Sequence, residues 1–409
     1  MSIKLIQMVR NRDIIIVGIQ PWDIEIGSNC KNIAFEFAKN NRVLYVNPPM
    51  DRVTKMKHKN KKSVQKRIKI AKGELPDIEI IQNNLWNLYP KTILESINWI
   101  SYHPFFNILN KRNSELFANN IKTAIQRLGF KDYVLFNDSS MFLGLHLKTT
   151  LKPLLYAYYV RDNLVKVPYW RKHGARLEPE LIKTADLVLN NSEYYTDYSS
   201  EFNNNSVMVG QGCDVSMFNI LENEINPAED FEDIPSPIIG YVGSLTTLRL
   251  DIELLEFIAN KKQDWSIVLV GPEDDSFKKS NLHQLSNVFF LGNKLTDELP
   301  SYIKGFDVAI NPQIINELTI GNYPRKIDEY LAMGKPIVAT STKAMEMFSN
   351  HVYLGETKED YIKLIDQSLK EHNELKATER IKFANTHTWV NSVDNIYRAM
   401  DNTLKQISK

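Results

Sequence analysis

The sequence predicts an α/β protein made of two doubly wound parallel sheets, one in each half of the chain. Three observations carry this expectation. Short runs rich in Val, Ile and Leu alternate with amphipathic stretches in both halves. At 409 residues the chain is long for a single core and suits two domains of about 200 residues each. Between the halves, residues 219–237, NILENEINPAEDFEDIPSP, are acidic, aperiodic and hold three prolines, as a linker does.

The first half opens with the strand DIIIVGIQ (13–20), an amphipathic helix near NIAFEFAKN and a second strand, RVLYVNPP (42–49), closed by paired prolines. After a basic interval come DIEIIQNNLWNLY, a long apolar and aromatic stretch, a helix over about 113–128, and the strands DYVLFND and LLYAYYVRD. A helix and strand in PELIKTADLVLNNS and a last strand, SVMVGQGCD, complete the sheet. Strands this apolar along their whole length need cover on both faces.

The second half repeats the plan. It runs PIIGYVGSL, the helix LDIELLEFIANKK, SIVLVGP, NVFFLG, the helix DELPSYIKG, DVAINP, and then NYPRKIDEYLAMGKPIVAT (322–340), read as a helix with Pro324 in its first turn, capped by Asn322, leading into a buried strand. In a doubly wound sheet the loops after each strand's carboxyl end collect at one edge, where ligands bind. Four charges, Arg325, Lys326, Asp328 and Glu329, fall at that place. They are either a solvated face or a binding site.

Bulk composition narrows the partners. Fifty basic residues against 49 acidic ones create no global field for polyanions, so no nucleic-acid partner is expected. The two cysteines, Cys30 and Cys213, form no CxxC pair, and the eight histidines show no metal-ligand spacing. No apolar run reaches the roughly 18 residues of a membrane span, and arginines interrupt the start where a secretory leader would be apolar. The expected setting is the cytoplasm.

Four landmarks in order carry a family resemblance: ADLVLNNSE (185–193), GCDVSMF (212–218), GYVGSL (240–245) and DEYLAMGKPIVAT. On these the chain resembles the GT-B glycosyltransferases, nearest the family 4 or group 1 kind and, within it, bacterial surface-polysaccharide enzymes such as teichuronic acid glycosyltransferases. The resemblance implies two Rossmann-like domains facing a central cleft: 1–218 on the acceptor side, the linker 219–237, and 238–387 for the donor, with a terminal helix over 388–409 crossing back onto the first domain. It implies hexosyl transfer, with retention of configuration, from a nucleoside-diphosphate sugar to a glycan or lipid-linked acceptor, without cofactor or bound metal. Side chains and helix starts then neutralise the phosphates.

The resemblance also assigns residues. Glu329 aligns with the glutamate that accepts from both ribose hydroxyls, a task suited to an acceptor-only carboxylate; its alternative is an i,i+4 pair with Arg325. Lys326 and Arg325 are placed for the pyrophosphate. Gly243 and Ser244 form the turn that approaches the donor, and Arg249 follows, either as a phosphate clamp or as an ion-pair partner of Asp251. Gly292 and Asn293 lie where the base would rest, and Gly27 resembles a second glycine turn. Asp162 is the candidate for a general base or a stabiliser of positive charge at the anomeric carbon, with a helix cap as its alternative; Arg161 helps the leaving phosphate or balances Asp162. One position departs from the family pattern: Gly321 stands where another glutamate is usual, and Glu317 lies four residues before it.

Ten lysines and arginines and no acid lie in Arg52–Lys72. Such a block is normally a solvated, mobile loop; with the acceptor class implied above, it is expected to meet anionic lipid on the inner face of the plasma membrane. The aromatic run ILESINWISYHPFFNIL (93–109) is either an interfacial belt or a core helix. Rival readings are a nucleotide-sugar epimerase of the same architecture and a non-catalytic sugar- or lipid-binding scaffold.

Overall fold

The computed structural model describes residues 9–24, 27–221 and 224–407. The chain divides into two compact units. The first runs to Gly210 and takes back the segment from Ser392; the second is Gln211–Asn391.

The first unit holds eight strands: β1 (Asp13–Gly18), β2 (Arg42–Val46), β3 (Ile78–Gln82), β4 (Leu85–Leu88), β5 (Val134–Asp138), β6 (Leu155–Val160), β7 (Leu187–Asn190) and β8 (Ser206–Met208), in the order β3-β4-β2-β1-β5-β6-β7-β8. All pairs are parallel except β3 with β4. That edge corrects the sequence reading. DIEIIQNNLWNLY is a hairpin, because Asn84 takes a positive φ of 64° and turns the chain back. The central strands β1, β5 and β6 are buried at every position. Helices cover them on both faces, and the longest, His103–Leu128, ends on Gly129 in the left-handed conformation.

The expected loop at 52–72 is two short helices, Arg52–Lys57 and Lys62–Ala71. Val64 and Ile70, among the few apolar residues of the block, are buried and dock the second of them. The aromatic run splits in the same way: Ile97, Ile100 and Phe106 are buried, whereas Trp99, Tyr102 and Ile108 are exposed. From Ser392 the terminal helix Trp389–Ile407 packs on the first unit. Its stripe Ile396, Met400 and Leu404 is buried at i, i+4, i+8 spacing, and the Tyr397 hydroxyl donates to Asn41 Oδ1 at 2.7 Å.

The second unit holds β9 (Ile238–Val242), β10 (Ser266–Val270), β11 (Val288–Gly292), β12 (Val308–Asn311), β13 (Ile337–Thr340) and β14 (Tyr353–Gly355), all parallel, in the order β11-β10-β9-β12-β13-β14. This is the doubly wound order in which the direction of winding reverses beside the first strand. Here that point lies between β9 and β12. The acidic interval belongs to this unit, since Phe231, its one aromatic, and Phe218, just before it, are buried in the cluster that also holds Val242 and Phe306. The structural boundary therefore falls at 210/211 instead of 218, because the residues after it are anchored by these rings.

A buried acid lies under the first sheet. Glu178, on the helix Pro168–Thr184, is 3% exposed and accepts from the Tyr158 hydroxyl at 2.8 Å and the Tyr198 hydroxyl at 3.2 Å. Burial raises its carboxyl from the ordinary value of 4.5 to about 7, and the two hydroxyls only partly offset this. The folded state thus holds its proton to higher pH than the unfolded chain. Its contribution is fully present below about 4.5 and is lost as pH rises through about 7, a loss of about 3 kcal/mol. In urea unfolding followed from about pH 5 to pH 8, the first domain of the wild type should lose roughly that much stability relative to Glu178→Gln. Parallel pH dependence in the two proteins would remove this account.

Candidate active site

The site in the second unit is assembled where β9 ends. Gly243 takes a φ of 144°, outside the range of other residues, and its N–H donates to Val270 O at 2.9 Å. A Cβ there would stand 2.8 Å from the Lys326 ammonium. Beside it, Gly271 has a φ of 146°, and a Cβ would meet the Gly243 carbonyl oxygen at 1.9 Å. Gly271 N–H in turn donates to Gly292 O at 2.8 Å. Three neighbouring strands therefore end in a row of bare backbone: Gly243 after β9, Gly271 after β10 and Gly292 closing β11.

The helix Lys326–Ala332 is fastened to this row from the other side. The Lys326 ammonium donates to the Tyr241 hydroxyl and lies 4.1 Å from the centroid of the same ring. One turn later the Tyr330 hydroxyl accepts from Val242 N–H at 2.8 Å. Asp328 holds the outer side. It is fully buried and accepts from the Tyr323 hydroxyl at 2.7 Å, with His387 Nδ1 also at 2.7 Å. Burial raises its carboxyl, against the pull of His387 and Tyr323.

Glu329 is half-buried on the same helix. Burial raises its carboxyl, while Arg325 and Lys326 pull it down through space. No side chain among the described residues donates to that carboxylate, so the proposed pair with Arg325 does not form. The cap differs from the sequence reading: the helix starts at Lys326 with Arg325 at its N-cap and no side-chain cap, so neither Asn322 nor Pro324 has the expected place.

Arg249 stands in the stretch after Gly243 and Ser244. Its backbone carbonyl accepts from Ile314 N–H at 2.9 Å, which ties the stretch to the segment following β12. Its side chain is exposed and forms no ion pair with another described residue. Asp251, its alternative partner, caps the helix Ile252–Lys261 by accepting from Leu254 N–H at 2.9 Å. Ser244, Gly292 and Asn293 are exposed. Asp274 ties the first two glycine turns together: it accepts from Thr247 N–H at 2.9 Å and Phe277 N–H at 2.8 Å, and these bonds hold its carboxyl down at about 2.

In the first unit Arg161 is buried, and its charge is already taken. Its Nε donates to Asp138 Oδ1 at 2.8 Å and its NH1 to Asp162 Oδ2 at 2.5 Å. Asp138 is fully buried at the end of β5; burial alone would lower the guanidinium pKa, and the two carboxylates outweigh it and push the pKa up. Of the two roles offered for Arg161, the arrangement fits the balancing one. Asp162 is 43% exposed and does not cap a helix; Asn163 precedes the next turn, Leu164–Lys166. Gly27 is exposed, with open space around its Cβ position. Among the described residues no group of three or more His, Cys, Asp or Glu side chains is arranged to hold a metal ion.

Residues 236–371 match the family model of glycosyl transferases group 1. Over that third of its length the chain is similar to the group 1 glycosyl transferases. Over 161 residues it is 30% identical to a Bacillus subtilis protein named as a teichuronic acid biosynthesis glycosyltransferase, TuaH, a match that covers 37% of this chain and 40% of that relative. Among solved structures, Anabaena Alr3699/HepE in complex with UDP is 12% identical with a TM-score of 0.65, covering 95% of this chain and 100% of that one. Sucrose-phosphate synthase from Thermosynechococcus elongatus is 13% identical with a TM-score of 0.61 over 97% and 99% of the two chains. The α,α-trehalose 6-phosphate synthase from Burkholderia multivorans is 9% identical with a TM-score of 0.65 over 97% and 99%. At such identities the likeness is one of fold, and the fold is that of the GT-B glycosyltransferases.

Tyr241, Tyr330, Gly271 and Asp138 were not among the expected site residues. The glycine of SIVLVGP and the acid ending VLFND were visible as residues at strand ends, which is the available signal for Gly271 and Asp138. Nothing in the sequence pairs Tyr241 with Lys326. The two acids of the first domain should separate by unfolding: Asp138→Ala breaks a buried pair and should cost about 3–5 kcal/mol, whereas Asp162→Ala removes a half-exposed partner and should cost under about 1 kcal/mol. Equal losses in chemical denaturation would contradict these places.

Proposed function

We propose that the protein transfers a hexose from a nucleoside-diphosphate sugar to a glycan or lipid-linked acceptor in the building of a cell-surface polysaccharide, without a resident metal and with retention of configuration. The observation that carries this is the placement of Lys326 against the Gly243 turn, with Glu329 one helical turn on and its carboxylate unspent. An ammonium beside bare backbone suits a diphosphate, and an acceptor-only carboxylate suits the ribose diol.

In this reading Glu329 accepts from the ribose hydroxyls. Lys326, with Arg249 and Arg325, takes the diphosphate charge as it grows when the bond to the anomeric carbon breaks. Gly243, Ser244, Gly292 and Asn293 give the nucleotide close contact with backbone. In the first domain Asp162, oriented by Arg161, stabilises positive charge at the anomeric carbon, and Gly27 lies in a turn available to substrate. The named similarity to a teichuronic acid enzyme and the UDP-bound neighbour support a nucleotide-sugar donor and a surface-glycan product.

A thermal-shift series with UDP-, GDP- and dTDP-sugars tests the donor site. At about 100 times Kd, binding adds roughly 2.7 kcal/mol, which for a domain of this size is a rise of about 5–10 °C. One nucleotide series should give that rise, and Glu329→Ala should lose most of it. Absence of stabilisation by every nucleotide sugar, or an undiminished shift in Glu329→Ala, would overturn the reading.

A further inference from the structure

The first unit encloses a cavity of about 500 Å³ that the donor chemistry does not use. It lies at the reversal of strand order between β1 and β5, where Gly18 and Ser140 reach it. Its walls are apolar and aromatic: Phe106 and Phe117 from the helix His103–Leu128, Phe142, and Tyr169 and Trp170 from the helix Pro168–Thr184. Three asparagines also line it, and their Nδ2 groups are committed: Asn98 Nδ2 donates to Tyr169 O at 2.9 Å, while its Oδ1 is buried without a partner among the described residues. Asn110 Nδ2 donates to Phe142 O at 2.9 Å, and Asn113 Nδ2 donates to Glu95 O at 2.9 Å. A volume of this size is typical of small-molecule sites, and a wall that is mostly apolar, with the Asn98 amide oxygen as an unpartnered acceptor, suits an alkyl chain.

The basic segment starts on the wall of this cavity. Asp51 and Val53 line it. Arg52 N–H donates to Leu94 O at 3.1 Å, Leu94 N–H to Met50 O at 2.9 Å, and Val53 N–H to Ser96 Oγ at 3.0 Å. The start of the helix Arg52–Lys57 is thereby pinned to the 94–96 wall. Four cations of the block are spent: Arg52 on Glu95, Lys66 on Glu79, Arg67 on Asp23 and Lys72 on Glu74. Lys55, Lys57 and Lys59 are exposed and form no ion pair with another described residue. Beside them Met56 is 74% exposed, and across the wall Trp99 is 73% exposed. A mostly apolar hole whose wall leads, after Asp51 and Val53, into a segment of unspent lysines matches a ligand with an apolar chain and an anionic head.

We propose that this cavity takes the hydrocarbon chain of a single amphiphile whose phosphate head meets the lysines of the basic segment that starts on its wall. This names the acceptor class of the transfer proposed above and deepens that reading. Binding can be measured without nucleotide, sugar or turnover, so its failure leaves the donor site standing, and failure of the donor assay leaves this site to its own test.

The probes are octyl, decyl and dodecyl phosphate below their micelle thresholds, read by tryptophan fluorescence and calorimetry, with inorganic phosphate, uncharged dodecyl maltoside and phosphatidylglycerol vesicles as comparison arms. A chain entering the cavity should tighten binding about fourfold per methylene, on the order of tenfold for each added pair. Val53→Asp, on the exposed rim, should weaken dodecyl phosphate at least tenfold. Replacing Lys55, Lys57 and Lys59 by Ser should weaken dodecyl phosphate several-fold at low salt and leave dodecyl maltoside unchanged. Affinity independent of chain length, or inorganic phosphate binding as tightly as dodecyl phosphate, would overturn the proposal. So would vesicle binding that persists in Val53→Asp while the monomeric alkyl phosphates do not bind, because the lysines would then serve a flat membrane surface.

Discussion

The tie between the helix Lys326–Ala332 and the turn ending β9 is what the second domain's chemistry depends on. A helix of seven residues is too short to hold its own geometry in water. It is fixed from outside, by Lys326 on the Tyr241 ring and hydroxyl, by the Tyr330 hydroxyl on Val242 N–H, and by Asp328 between Tyr323 and His387. These contacts commit Tyr330 and Asp328 to structure, use one of the three donors of the Lys326 ammonium, and leave the Glu329 carboxylate without a donor among the described residues. A half-buried carboxylate whose proton affinity is raised by burial, next to two cations that lower it, is poised to accept hydrogen bonds from a ligand.

The same economy shapes the glycines. Gly243 and Gly271 are required by positive φ and by a contact that no side chain fits, so the β9 and β10 turns pack backbone to backbone and present a surface without side chains. Asp274 locks the two turns with bonds to Thr247 and Phe277. In the first domain the corresponding strand ends are held by a buried charge pair, Asp138 with Arg161, which leaves Asp162 as the exposed member of the group. The large apolar cavity sits at the equivalent switch point of that sheet.

Much of the architecture was legible in the sequence because buried parallel strands announce themselves as continuous apolar runs. The strand of DIIIVGIQ and the strand after the AMGKP turn fall where the alternation puts them. The misreadings have local causes. The β3–β4 hairpin hides in one apolar stretch because Asn84 supplies a turn without glycine or proline. The basic block looked like loop because its lysines mask Val64 and Ile70, and the acidic interval looked like linker because its charges mask Phe231. Glu329 and Lys326 were legible as charges where a doubly wound sheet binds ligands. Their partners Tyr241 and Tyr330 were not, since pairing an ammonium with a ring 85 residues away is a property of the fold.

The central claim is that Lys326 faces a diphosphate while Glu329 faces a ribose, and calorimetric titration of Lys326→Met separates the two. The best-binding nucleoside diphosphate should weaken at least tenfold in this variant, while its parent nucleoside, which has no phosphate, should weaken far less, because the Tyr330 and Asp328 contacts still hold the helix. Equal weakening of both ligands, or of neither, would contradict the assignment.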